Sequence, residues 1–208
     1  MYFLLLVNLK INRFLHGVPD DRKLWSATAV VHSKYHDALK LVHQSFMKAG
    51  SKAITTNSYG IVPGVGFTED DIAKYCGMAG DIACRAASLQ EDVLVLGSMG
   101  PLKESYRPDL VLPHSQGVAY YKVIVQALTK HVDCLLAETL SSFEESSQAI
   151  QAVGEHQQQS GDGNKVPIMI SYTLNGEGLI RSGETAMEGI RKLVGFSQEQ
   201  QVDCKFVF

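Results

Sequence analysis

No run of about 18 apolar residues occurs in this chain, so no segment reads as a membrane-spanning helix. The apolar stretch at 2–7 is too short to span, and it lacks the basic region that precedes the core of a secretory signal. An excess of either charge is also missing. Nineteen basic and 22 acidic residues give a net charge of -3 and form no basic stripe, which excludes nucleic acid as the main partner and points to small molecules. Cysteine is sparse. The four cysteines, at 76, 84, 134 and 204, have wide, irregular spacing that is unlike a secreted disulfide framework and fits a reducing, cytoplasmic compartment. No G-x-G-x-x-G opens a helix after a first strand and no G-x-x-x-x-G-K-[ST] is present, so the nucleotide-fold signals are missing. The seven histidines form no H-x-x-x-H with an acidic partner suited to a protease. His32 and His36, four apart, read as an exposed helix face.

The chain instead shows an alternation. A first strand is expected over 2–7. Apolar residues at helical spacing over 24–49 predict one helix that stops at Gly50, and a strand over 52–57 follows. After the glycine-rich loop at 60–66, read either as an anion cradle or as a plain βα loop, Thr68-Glu69-Asp70-Asp71 resembles a capping box opening a helix to about residue 88. Strands over 92–97, 132–138, 166–172 and 202–208 alternate with helices over 116–131, 142–159 and from 182 or 183 to 194, with Gly195 as the last stop. Ser160-Gly161-Asp162-Gly163-Asn164 is a turn cluster. Cys76 and Cys84 share one helix and are expected to face its buried side, and Cys134 reads as packing within a strand.

Strands 35 to 40 residues apart, each followed by an amphipathic helix, define a parallel α/β succession in one domain over 1–208. Periodicity alone does not separate an open doubly wound sheet from a barrel, and the missing nucleotide motifs favour the barrel. About 250 residues is usual for eight complete βα units, so 208 suggests an incomplete set. Five strands end on polar or sulfur-bearing residues: Thr55-Thr56-Asn57, Gly97-Ser98, Glu138-Thr139, Ser171-Tyr172 and Cys204. Barrel active sites are assembled at strand C-termini, so the repetition points to a site there. Glu138 stands out because a carboxylate following an apolar run is costly to bury unless it has a partner.

Asp20-Asp21-Arg22-Lys23-Leu24-Trp25-Ser26-Ala27, Ala53-Ile54-Thr55-Thr56-Asn57-Ser58-Tyr59, Gly97-Ser98-Met99-Gly100-Pro101, Leu136-Ala137-Glu138-Thr139 and Val202-Asp203-Cys204 resemble, in order and spacing from about Gly17 to Phe208, the motifs of homocysteine S-methyltransferases. The resemblance implies a (β/α)8 TIM-type barrel, incomplete here at about six of eight units. It also implies zinc-dependent transfer of a methyl group to the thiol of homocysteine, forming methionine. Zinc held by cysteine thiolates would bind the substrate sulfur in an open position and ionise it. Carried over by residue, Cys204 is expected to close the sixth strand as a zinc ligand. Glu138 would hold the substrate ammonium, and Asn57 and Ser98 would line the pocket. The Leu24-Trp25-Ser26-Ala27 motif resembles users of S-methylmethionine or S-adenosylmethionine as methyl donor.

Two departures limit the expectation. The Asp-Gly-Gly-x-Gly-type end of the family's first strand has no counterpart near Leu6-Val7-Asn8-Leu9-Lys10-Ile11. The family's Gly-Gly-Cys-Cys-type pair lies beyond the sixth strand, whereas this sequence stops four residues after Cys204. One thiolate cannot hold zinc tightly, so this polypeptide alone is expected to be inactive. The alternative is a non-catalytic homologue or fragment that binds a ligand or partner.

Overall fold

In the computed structural model, residues 17–19, 21–24, 27–160 and 165–207 are described. The expected first strand at 2–7, the turn residues 161–164, Trp25 and Ser26 of the donor motif and the final Phe208 lie outside them. Five strands form one parallel sheet: β1 (Ala53–Thr55), β2 (Leu94–Met99), β3 (Cys134–Leu140), β4 (Ile168–Tyr172) and β5 (Cys204–Val207). Their order in the sheet is their order in the chain, and every adjacent pair is parallel. That order resolves the ambiguity left by periodicity. A doubly wound sheet reverses its strand order at a switch point, whereas sequential order with crossovers of one hand keeps all helices on one side, as in a barrel. The chain is a partial TIM-type α/β barrel.

The helices are α1 (Thr28–Val31), α2 (His36–Lys48), α3 (Glu69–Ala87), α4 (His114–Leu128), α5 (Phe143–Ser160) and α6 (Ala186–Glu199). From α2 to α6 each touches the next, forming the outer layer. Between helices and sheet lies the main core. Tyr121, Ile124 and Leu128 of α4 and Ile150 and Val153 of α5 pack with Leu135, Ala137 and Leu140 of β3 and Ile168 and Ile170 of β4. The opposite face of the sheet carries a smaller cluster of Leu96, Cys134 and Leu136, with Ala53 and Met169 against it. Alternate strand residues therefore divide cleanly between helix layer and barrel interior.

Several helix boundaries differ from expectation for local reasons. The single helix expected over 24–49 is broken at His32, whose extended backbone (φ -102°, ψ 106°) separates α1 from a 3-10 turn at Ser33–Tyr35 and from α2. His32 and His36 thus do not share a helix face. His32 is exposed, and His36 Nε2 binds the carbonyl of Val30 at 2.9 Å across the break. Gly50, at φ 99°, terminates the segment as expected, one residue past the Ala49 cap. The capping box at Thr68 is real, with the Asp71 amide donating to Thr68 Oγ1 and the Thr68 amide to Asp71 Oδ2. A second box, Thr185 with Glu188, opens α6 four residues or so later than expected, and the helix continues through exposed Gly195 to Glu199.

Cys76 is buried but Cys84 is exposed. Eight residues at 100° per residue leave the two about 80° apart around the helix, enough to move one off the buried stripe.

A buried carboxylate at the rim of the barrel

Parallel strands in sequential order bring all their C-terminal ends to one rim, and there the side chains of the first three ends join. The backbone of Thr56 donates to Leu96 O at 2.8 Å, and the Ser98 amide donates to Thr56 Oγ1 at 2.9 Å. Ser58 Oγ donates to Ser98 O at 2.6 Å. With that proton committed, the 2.7 Å contact between Thr56 and Ser58 has the Thr56 hydroxyl as donor. Asn57 lies between them and is buried. These bonds fix the backbone around Ser98, whose own hydroxyl points inward, because Ser98 pairs with Leu136 of the interior cluster.

Ser98 Oγ donates to Glu138 Oε1 at 2.5 Å, a length typical of a hydroxyl on an ionised carboxylate. Glu138 is only 1% exposed, and its Oε2 has no hydrogen-bond partner among the described residues. Burial pushes its pKa up to about 7, against the opposing pull of the Ser98 hydrogen bond.

The backbone that presents this carboxylate is irregular. Ala137 pairs with Ile170 and Leu140 with Tyr172, so three steps on β3 oppose two on β4: a bulge at Glu138 and Thr139. Thr139 has φ 65°, a left-handed conformation that is costly for a β-branched residue. Without the extra residue, the chain could not offer Glu138 to the interior and still return Leu140 to the helix-side core.

The loops above the rim are tied together. Tyr59, nearly buried, shares a 2.7 Å hydrogen bond with Ser105 and also bonds Thr139, and burial raises its pKa. The glycine-rich stretch at 60–66 is packed. The Gly64 amide donates to Leu102 O at 2.9 Å, and a Cβ at Gly64 would stand 2.4 Å from the Lys103 carbonyl oxygen. Its composition therefore serves loop-to-loop contact. Tyr172, expected at a site-lining strand end, instead turns to the helix layer and bonds Ser146 Oγ at 2.6 Å.

Cys204 does not join the rim. It opens β5 rather than closing it, and pairs with Ile168, the first residue of β4. Ile168 pairs in turn with Leu135, three residues before Glu138, so Cys204 sits about 10 Å lower along the strands than the carboxylate. It also packs on the helix-side core, on the face opposite Glu138, and burial pushes its pKa up to about 12. Cys134, the other strand cysteine, is buried in the interior cluster. Among the described residues no three His, Cys, Asp or Glu side chains gather as a metal would require. The described residues around Glu138 thus do not fit the expected zinc.

A sequentially wound parallel α/β barrel with a buried carboxylate among strand-end hydroxyls is the architecture of a small-molecule enzyme site. The sequence profile of the homocysteine S-methyltransferase family matches residues 10–204, and the chain belongs to that family. Its fold is similar to two crystal structures of the homocysteine methyltransferase MmuM from Escherichia coli. The metallated form aligns with a TM-score of 0.75 and 24% identity over 91% of this chain and 69% of that one. The apo form aligns with a TM-score of 0.65 and 20% identity over 91% and 65%. No curated protein matches the chain by sequence.

Proposed function

We propose that the rim around Glu138 forms a pocket that binds homocysteine with its ammonium group on that carboxylate, in a protein descended from enzymes that transfer a methyl group to the homocysteine thiol. The observation that carries this reading is Glu138 Oε2, a buried carboxylate oxygen without a partner among the described residues, beside an Oε1 already fixed by Ser98. A buried anion is stable only when it is paired or protonated, and an ammonium supplies the missing partner. Asn57 and Ser98 stand at neighbouring strand ends and form part of the wall.

The reaction of this reading is a displacement. The homocysteine sulfur forms a bond to the methyl carbon as the bond from that carbon to a sulfonium sulfur breaks, and the thiol proton leaves to solvent. The donor is taken to be S-methylmethionine or S-adenosylmethionine, and the protein's part is to hold the acceptor in line. Homocysteine S-methyltransfer would form methionine. The chain alone is proposed to bind the acceptor without efficient turnover, because Cys204 faces the helices and no metal-binding set stands near Glu138 among the described residues. That same observation favours a second reading, a ligand-binding homologue without activity. The four free cysteines, two of them buried, suit a reducing, cytoplasmic compartment. No described helix is long and apolar enough to cross a membrane.

Calorimetric titration with homocysteine tests the site. Binding that is lost in Glu138→Gln supports the reading, and equal affinity of variant and wild type sinks it. Methionine formation from S-methylmethionine, with metal content measured alongside, separates the enzyme from the binding homologue.

A further inference from the structure

The loop after β4 is braced at both ends. Asn175 Oδ1 accepts from the amides of Glu177 and Leu179, and the bridges Leu174 to Ile180 and Leu179 to Thr185 fold the segment back on itself. Ile180 is fully buried as its anchor, and the Ser182 amide donates to Ser141 O, three residues beyond Glu138. Between these two fixed residues stands Arg181, exposed, with its guanidinium 5.0 Å from the centre of the Tyr106 ring.

Tyr106 belongs to the loop after β2 and has φ 69°, a strained left-handed conformation. It follows Ser105, which is bonded to Tyr59, and Tyr59 in turn bonds Thr139, the residue after Glu138. Arg181 and Glu138 thus approach the rim through directly connected loops. No carboxylate pairs with Arg181 among the described residues. The adjacent acid, Glu184, is already engaged by Lys192 and Ser182. An exposed cation seated on an aromatic ring, on a loop bonded to the segment that follows β3, and a buried anion on β3 itself present charges of opposite sign, as an α-amino acid requires.

We propose that Arg181, seated on Tyr106, takes the α-carboxylate of an amino-acid substrate at the mouth of the pocket in which Glu138 takes an ammonium. The proposal rests on the homocysteine reading of that pocket. Both the thiol acceptor and a sulfonium donor such as S-methylmethionine carry this carboxylate.

The test is calorimetric titration of the full chain and its Arg181→Ala, Arg181→Lys and Tyr106→Leu variants with three probes: homocysteine, its decarboxylated analogue 3-aminopropanethiol, and S-methylmethionine. The expected result is a loss of about tenfold in Arg181→Ala for homocysteine or for S-methylmethionine, whichever presents its carboxylate there. Partial recovery is expected in Arg181→Lys and a smaller loss in Tyr106→Leu, with 3-aminopropanethiol binding unchanged. Unchanged affinity of Arg181→Ala for both amino acids overturns the proposal, as does an equal loss for 3-aminopropanethiol. If Glu138→Gln abolishes homocysteine binding while Arg181→Ala does not weaken either amino acid, the pocket reading stands and only the Arg181 proposal falls. If the wild-type chain binds none of the probes, both fall.

Discussion

Ser98 Oγ reaches Glu138 Oε1 at 2.5 Å, from the end of one strand to the bulge of the next, and it is the hydrogen bond that holds the buried carboxylate toward its ionised form. Ser98→Ala removes that donor, so the Glu138 pKa rises above about 7 and less carboxylate is ionised at neutral pH. Homocysteine binding near pH 7 is expected to weaken by roughly tenfold, about 1.4 kcal/mol, and to recover as the pH rises. Affinity measured from about pH 6 to about pH 9 reads this as an upward shift of the apparent pKa. A uniform loss across the range would show that Ser98 only shapes the wall.

The same carboxylate makes the empty protein less stable in alkali. Its folded pKa, about 7, lies above the ordinary 4.5, so the folded state holds a proton that the unfolded chain has released between those values. The associated stability is complete below about 4.5 and is lost as pH rises through 7. Glu138→Gln has no such titration. In urea unfolding without ligand, the variant should match the wild type near pH 5 and exceed it near pH 8 by up to roughly 3 kcal/mol. A variant no more stable at the higher pH would mean that Glu138 is not buried as an unpaired charge.

His43 works in the opposite direction. It is 1% exposed on α2, its Nε2 has no hydrogen-bond partner among the described residues, and burial pulls its pKa down to about 4. Between 6.5 and 4 the unfolded chain binds the proton that the folded chain excludes, so stability falls as pH drops through this window. Replacing the imidazole by the similar volume of leucine in His43→Leu should remove up to roughly 3 kcal/mol of that acid sensitivity. Parallel unfolding slopes for variant and wild type from pH 7 to about pH 4 would contradict it.

Much of this was legible from sequence because apolar runs and polar ends lie in the same register along the chain. Val95-Leu96 and Cys134 to Ala137 announce strands buried on both faces, and the residues after them reach the rim by geometry alone. Thr68 announced its helix by a short-range hydrogen-bond pattern. Thr185 carries the same pattern, but the glycines at 183 and 195 suggested nearer boundaries than the capping box and the α6 packing allow. The bulge at Glu138 and Thr139 left no mark, since it arises from pairing three residues against two on a neighbouring strand. Strand order, too, is a long-range property that periodicity does not encode. Cys204 was the most misleading residue: its segment looks like a strand end, yet the ladder continues for three residues after it, and alternation then sends its side chain to the helix layer.

That placement leads to a sharp expectation for Cys204→Ala. A sulfur half-buried against the helix-side core contributes packing, so its removal should cost on the order of 1 kcal/mol of stability. Its thiol, raised to about 12 by burial, is protonated at neutral pH, and it stands on the face of the sheet opposite Glu138. Homocysteine affinity and the amount of zinc retained by the purified chain should therefore be the same in Cys204→Ala and wild type. Atomic absorption beside calorimetry decides the matter: zinc lost from the variant together with weaker homocysteine binding would show that β5 shifts to carry its first residue to the rim, and the register described here would have to change by several positions.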